Sequence, residues 1–302
     1  MLYSPTNSWA QGLSRELAPE KVARPLTQLP QKFNAAACFI DRNVLEGRGD
    51  RIAIECGDEQ VSYQQLLERT NRAGNALRQL GVRREERVLV LLFDTPAFLY
   101  SFFGIIKIGA VAVPANTFLK RQEYEYLLND SRARVLVVSE DLLPVVERIP
   151  REQLPYLREI VVVGESTPGQ VNLARLMAEA SPQLDAEPSS RDDVAFWLYS
   201  SGSTGVSKGC VHLHHDMVVC SELYAQGILH MNQQDRCFSV ARLFFAYGLG
   251  NAGYFPLFCG ATTILSPGRP TPASIFADIE RHRPTLFFSH RLSPAQAPPS
   301  QT

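Results

Sequence analysis

Apolar runs of strand length recur along this chain, and most are followed by a stretch with helical spacing. Residues 87–93 (RVLVLLF) are apolar almost throughout and predict a strand. A helix is expected over 97–108 and a short strand over 110–113. An amphipathic helix follows at 121–128, a strand at 135–138, a helix at 142–148, a strand at 160–163 and a helix at 173–180. Strands that are apolar on both faces and separated by helices imply parallel sheets with flanking helices, an α/β fold. The pattern breaks at 181–192, where Pro182, Pro188, Ser189 and Ser190 suit a linker. It resumes with a strand at 194–199, a Gly/Ser/Thr loop, a strand near Val211 and a helix over about 215–227. Strands at 237–240, 261–265 and 285–288 follow, with a helix opened by Pro272, capped by Thr271 and ending near His282. The expected organisation is a loose leader over 1–30, a first α/β subdomain over 31–180, the linker over 181–192 and a partial second α/β subdomain over 193–288. A disordered tail is expected over 289–302 (HRLSPAQAPPSQT after Ser289), where apolar periodicity ceases.

The most lipid-like stretch, 98–114 (FLYSFFGIIKIGAVAVP), is short for a membrane span and contains Lys107. It reads instead as a buried helix running into a buried strand. The first thirty residues lack the apolar core of a secretory signal. Across 302 residues, 30 Lys and Arg oppose 31 Asp and Glu, so a net charge of -1 leaves no global basic field for nucleic acid. Six cysteines without CxxC spacing point to reduced, mostly buried thiols and a cytoplasmic, globular protein. Oligomeric state is not legible in the sequence.

The chemistry concentrates in 199–209, YSSGSTGVSKG. Glycines allow a backbone turn whose successive N–H groups form a concave nest for an anion. The hydroxyls of Ser200, Ser201, Ser203 and Thr204 add donors, and Lys208 adds a mobile charge. Composition alone also suits a flexible surface turn. The Walker pattern is absent, since position 207 is serine and 209 is glycine, which disfavours a kinase or GTPase. A second segment, 243–256 (LFFAYGLGNAGYFP), clusters Phe244, Phe245 and Tyr247 around the small Ala246. Gly248 and Gly250 follow, where a backbone could approach a ligand closely. Such a segment equally describes a core helix end with aromatics packed inward.

The loop resembles the signature of the AMP-forming adenylating enzymes, [YF][ST]SG[ST]TGxPKG, at ten of eleven positions. The exception is Ser207, where the family has proline, a residue that would fix φ ahead of the lysine. Residues 33–43 (FNAAACFIDRN), 243–256 and 260–265 (GATTIL) are similar to segments of benzoate-CoA and related aryl-CoA ligases. The likeness runs from about residue 30 to 288, so the fold implied is the N-terminal domain of an acyl-CoA ligase, truncated. That resemblance implies an ATP-dependent ligase joining an aromatic carboxylic acid to coenzyme A through an acyl-adenylate. Ser200, Ser201, Gly202, Ser203, Thr204, Gly205 and Lys208 would hold the ATP phosphates, with Thr204 and Lys208 acting in catalysis and Thr204 supporting Mg²⁺. Phe245, Ala246, Tyr247 and Gly248 would line the acid pocket. The alternative is a catalytically impaired fragment that only binds nucleotide or aromatic acid.

Lesser features carry less. Cys210, His212, His214 and His215 are adjacent metal-ligating types, yet strand neighbours on one face cannot easily converge on one tetrahedral ion. Glu85 and Glu86 read as solvated surface charges. Nothing in the sequence orders a Ser/His/Asp triad.

Overall fold

In a computed structural model, residues 29–166, 169–200 and 206–289 are described, and they form two β-sheets with flanking helices. A π-helical turn (Ala37–Asp41) continues into a short helix (Arg42–Leu45). The antiparallel pair β1 (Ile52–Cys56) and β2 (Glu59–Ser62) follows, then α1 (Tyr63–Gln79). A capping box starts α1: the Ser62 hydroxyl accepts from the Gln65 N–H at 3.2 Å, and the Gln65 side chain accepts from the Ser62 N–H at 2.9 Å. Gly81, in the left-handed region at φ 81°, turns the chain beyond it.

Next come β3 (Arg87–Leu91), α2 (Pro96–Lys107), β4 (Val111–Pro114), α3 (Arg121–Asp130), β5 (Val135–Ser139) and α4 (Leu143–Glu147). They are followed by β6 (Glu159–Val163), β7 (Val171–Asn172), α5 (Leu173–Glu179), β8 (Val194–Ser200), β9 (Lys208–Leu213) and α6 (His214–Cys220). The last elements are β10 (Arg236–Ser239), α7 (Phe255–Cys259), β11 (Thr262–Leu265), α8 (Pro272–His282) and β12 (Leu286–Phe288). The expected alternation is therefore present. The segment from 37 to 79 lacked any expected element and supplies two strands and the long helix α1.

Seven strands form one sheet in the order β7-β6-β5-β3-β4-β8-β9, parallel except for the antiparallel β8/β9 edge. Five form the other in the order β12-β10-β11-β1-β2, parallel except for β1/β2. Sheet membership crosses residues 181–192 in both directions. β8 and β9 join strands from 87–172, and β1 and β2 join strands from 236–288. Residues 181–192 themselves are strapped down: Asn75 donates to the carbonyls of Ser181 and Gln183, and the Glu187 N–H donates to Lys107 O at 2.8 Å. Phe33 donates to Ser189 O at 2.8 Å, which holds the chain's earliest described residues against the same segment.

Helix α2 is buried along nearly its whole length, as is β4 after it, matching the expectation for 98–114. Among the described residues, no helix is long and apolar enough to cross a membrane. Helices α1 and α2 cross at Gly74 and Gly104, where a Cβ on Gly104 would meet the Gly74 nitrogen and the Thr70 carbonyl at 3.0 Å. Lys107 ends α2 fully buried, and its ammonium donates to Asp41 Oδ1 and Asn71 Oδ1, each at 2.6 Å. Burial pulls the Lys107 pKa down and pushes that of Asp41 up, each opposed by the other's charge. All six cysteines are free, but only Cys38 and Cys237 are buried; Cys210 and Cys220 are exposed. The expectation of mostly buried thiols is corrected accordingly, because β9 and the outer face of α6 point those side chains to solvent.

Candidate active site

The parallel strands deliver their carboxyl ends to one side, where ligands of open α/β sheets collect. Following β8, Ser201, Gly202, Ser203, Thr204 and Gly205 lie outside the described residues. The stem of their loop is described: Ser200 on β8 pairs with Lys208 on β9, and Tyr199 with Gly209. The loop thus joins two strands, as expected from the sequence, and the pair is antiparallel where parallel pairing was expected. Lys208 is exposed at this stem, and the Ser200 hydroxyl lies 3.5 Å from its carbonyl. Gly209 is in the strand, where a Cβ would make ordinary contact with Trp197 at 3.4 Å. Its lack of a side chain is therefore not demanded by a left-handed turn or by crowding.

Helix α3 holds both sides of this stem. The Tyr126 hydroxyl donates to Ser207 O at 2.9 Å, and the Tyr199 hydroxyl donates to Asp130 Oδ2 at 2.6 Å. Burial and then the Asp130 carboxylate raise the Tyr199 pKa, and the same two causes raise that of Tyr126. Both phenols stay protonated and available as donors. Neither contact follows from the signature itself, since residues 126 and 207 are 81 apart.

The aromatic segment lies after β10. Phe244 is buried and sits 4.5 Å, centroid to centroid, from Phe245. Phe118, from the connection after β4, meets Phe244 edge-on at 5.9 Å. Phe118, Phe245 and Tyr247 each expose 45% or more of their surface, so an aromatic wall faces outward there. Ala246 begins a short helical turn (Ala246–Gly248) and is exposed. Gly248 is buried instead, and a Cβ there would fall 2.0 Å from the Arg242 carbonyl oxygen and 2.4 Å from that of Ala241. Its close approach is to the protein's own backbone. Gly250 is likewise filled in by the Phe255 ring, 2.8 Å from where a Cβ would sit.

Arg242 and Asp94 join the two sheets beside this wall. Asp94, just after β3, is 3.4 Å from Arg242 Nη1 and accepts the Leu243 N–H at 3.2 Å. Arg242 also donates to the carbonyls of Ser266 and Gly268, after β11. Burial pushes the Asp94 carboxyl up to about 6, against the pull of Arg242. A cavity of about 80 Å³ opens between this pair and Phe118, with Thr117 and Arg269 on its wall. Asp94, Phe118, Tyr126, Asp130 and Arg242 had no motif to mark them, because each acts through a partner distant in sequence.

The histidine-rich run disperses its side chains. His212 stacks on Phe196 at 4.5 Å, His214 Nδ1 accepts the Ala35 N–H at 3.0 Å, and His215 faces Arg191 O, Asp192 and Asp216. Among the described residues, no three His, Cys, Asp or Glu side chains are grouped to hold a metal ion. Thr204, the residue expected at Mg²⁺, falls outside the described residues.

Comparison with known proteins adds to this geometry. The sequence model of a family described as AMP-binding enzyme matches residues 41–290. A benzoate–CoA ligase of Thauera aromatica is 46% identical over 265 residues, covering 87% of this chain and 50% of that protein. A 4-hydroxybenzoate–CoA/benzoate–CoA ligase of Rhodopseudomonas palustris is 43% identical over 257 residues, 85% of this chain and 47% of the relative. The solved structure of an anthranilate CoA ligase in complex with anthranoyl-AMP superposes with a TM-score of 0.83 at 40% identity, over 86% of this chain and 50% of that one. The chain spans about half the length of the curated relatives it matches.

Proposed function

Because the chain belongs to the AMP-binding enzyme family, we propose that it carries the ATP- and acid-binding sites of an AMP-forming ligase that activates benzoate or a related aromatic carboxylic acid for transfer to coenzyme A. The observation that carries this reading is the placement of the phosphate-loop stem at the carboxyl end of β8, with Phe118 after β8's parallel neighbour β4 meeting the outward aromatic wall that follows β10 in the other sheet. Helix α3 and the connection before it reach both, through Tyr126 and Phe118.

In the proposed reaction the acid's carboxylate oxygen attacks the ATP α-phosphorus, and the bond to pyrophosphate breaks. The thiol of coenzyme A then attacks the acyl carbon and AMP leaves. No covalent enzyme intermediate is needed, so the protein contributes positioning and charge stabilisation. Ser200, Ser201, Gly202, Ser203, Thr204 and Gly205 supply hydroxyl and backbone N–H donors to the β- and γ-phosphates. Lys208 supplies a cation at the loop's stem. Thr204, with an acidic side chain, would hold Mg²⁺, which neutralises phosphate charge when bound. Phe245, Tyr247 and Phe118 offer flat faces and edges to a planar ring, and Ala246 leaves room between them. Gly248 acts indirectly, by letting the turn that presents Phe245 to Tyr247 press against the Arg242 backbone.

The test is carboxylate-dependent ATP–pyrophosphate exchange, with calorimetric binding of Mg·ATP and benzoate to the purified chain. Benzoate-dependent exchange, with AMP as the nucleotide product of complete turnover, supports ligase chemistry. Binding of both ligands without exchange supports the binding-only alternative. Production of ADP, or binding of neither ligand, overturns the reading.

A further inference from the structure

Ser207 stands at the position where the family signature has proline, immediately before Lys208. A serine there leaves φ free where proline would hold it near −65°. The structure supplies a different restraint. Tyr126 donates its hydroxyl to the carbonyl of Ser207 at 2.9 Å, while four residues on, one helical turn, Asp130 accepts from Tyr199 at 2.6 Å. Tyr199 lies across the ladder from Gly209, and Ser200 from Lys208. One face of α3 therefore grips the incoming strand at Tyr199 and the outgoing side at Ser207, two residues before the ladder partner of Tyr199. The helix itself is anchored: Tyr124 is fully buried and donates to Asn116 O at 3.0 Å.

We infer that Tyr126, assisted by Asp130, is a positioning residue that fixes the Ser207 carbonyl and thereby aims Lys208, replacing the restraint that proline gives elsewhere in the family. The inference rests on the nucleotide reading of the loop only for its consequence; the restraint itself concerns residues 126, 130, 199 and 207. Neither side chain is placed in contact with a ligand. Removing the Tyr126 hydroxyl leaves the ring in place and removes only its bond to Ser207 O and its contact with Asp130, so the fold is expected to survive.

The experiment compares wild type, Tyr126→Phe, Ser207→Pro and the double variant. Each is measured for amide hydrogen exchange at Lys208 and Gly209, thermal stability and Mg·ATP affinity. Tyr126→Phe should speed exchange at 208–209 and weaken Mg·ATP binding about 2- to 10-fold, the effect of one hydrogen bond, with the melting temperature nearly unchanged. In the Ser207→Pro background the same change should have little effect, because proline restores the φ restraint. Equal losses from Tyr126→Phe in both backgrounds would mean a merely structural tyrosine and overturn the inference, as would unchanged exchange in the single variant. A wild-type chain that fails to bind Mg·ATP would overturn the nucleotide reading, and exchange at 208–209 would still decide whether Tyr126 restrains the stem.

Discussion

His214 makes a quantitative test of how this core is built. It begins α6, is 1% exposed, and uses Nδ1 to accept the Ala35 N–H at 3.0 Å. A proton on Nδ1 would set two donors against each other. Burial is the main cause that lowers its pKa from 6.5 to about 4, with Arg84 and His215 adding to the effect and Asp193 opposing it. The unfolded chain therefore binds more protons than the folded one between those values, so stability rises with pH across this window and is lost on acidification from about 6.5 to 4. At 1.36 kcal/mol per pH unit the full loss is about 3 kcal/mol. The perturbation is His214→Gln, whose carbonyl can accept the same N–H without titrating. Urea unfolding, followed by tryptophan fluorescence at pH 4 to 8, gives two stability curves. Their difference should be flat above pH 7 and move about 3 kcal/mol in favour of the variant by pH 4. Parallel curves, or an imidazole resonance of His214 titrating near 6.5, would refute the reasoning.

Asp94 should show the opposite sign. Its folded pKa of about 6 lies above the unfolded value, so ionising it costs the fold up to about 3 kcal/mol between pH 4 and 7. Asp94→Asn should remove that slope in the same urea titration and gain on wild type as pH rises; a difference curve independent of pH would contradict this. Replacing Lys107 by methionine leaves Asp41 without its cation, although Asp41 Oδ2 is already unpartnered. A loss of about 3 kcal/mol is expected in denaturant titration, and a neutral result would mean the pair contributes nothing net. Gly248→Ala forces a methyl onto two carbonyl oxygens and should cost at least about 2 kcal/mol by thermal or urea unfolding. Wild-type stability, with loss of benzoate binding alone, would instead return Gly248 to the ligand.

The α/β alternation after residue 87 is legible because strands such as β3, β4 and β5 are buried on both faces and announce themselves as apolar runs. The earlier elements were harder. β1 and β2 are short and partly polar, and β1 takes its parallel sheet partner from β11, which no local pattern reveals. α1 did carry a readable start, Ser62 with Gln65 three residues on, and a stop at Gly81. The loop at 199–209 takes its phosphate-binding reading from its likeness to the family signature, and its place between two strands is legible from the flanking sequence. What fixes its stem is not, because Tyr126 reads as an ordinary residue of an amphipathic helix and Asp130 lies beyond that helix's expected end at 128. The glycines illustrate the limit from the other side. Composition tied Gly248 and Gly250 to a ligand, whereas their missing side chains make room for Arg242 and Phe255.

The seating of β1 has a further consequence, for the order of events during synthesis. Its hydrogen-bonding neighbour in the five-stranded sheet is β11, and the Thr262 hydroxyl bonds Ile52 O across 210 residues of chain. At ordinary elongation rates of about 5–20 residues per second, the β1/β2 hairpin waits roughly 10–40 s for that partner. During the wait Ala53 and Ile54, fully covered in the finished protein, have only each other's hairpin and α1 for shelter. The five-stranded sheet is thus completed late, and a nascent chain arrested before residue 262 would carry an unpaired strand edge open to chaperones or to aggregation.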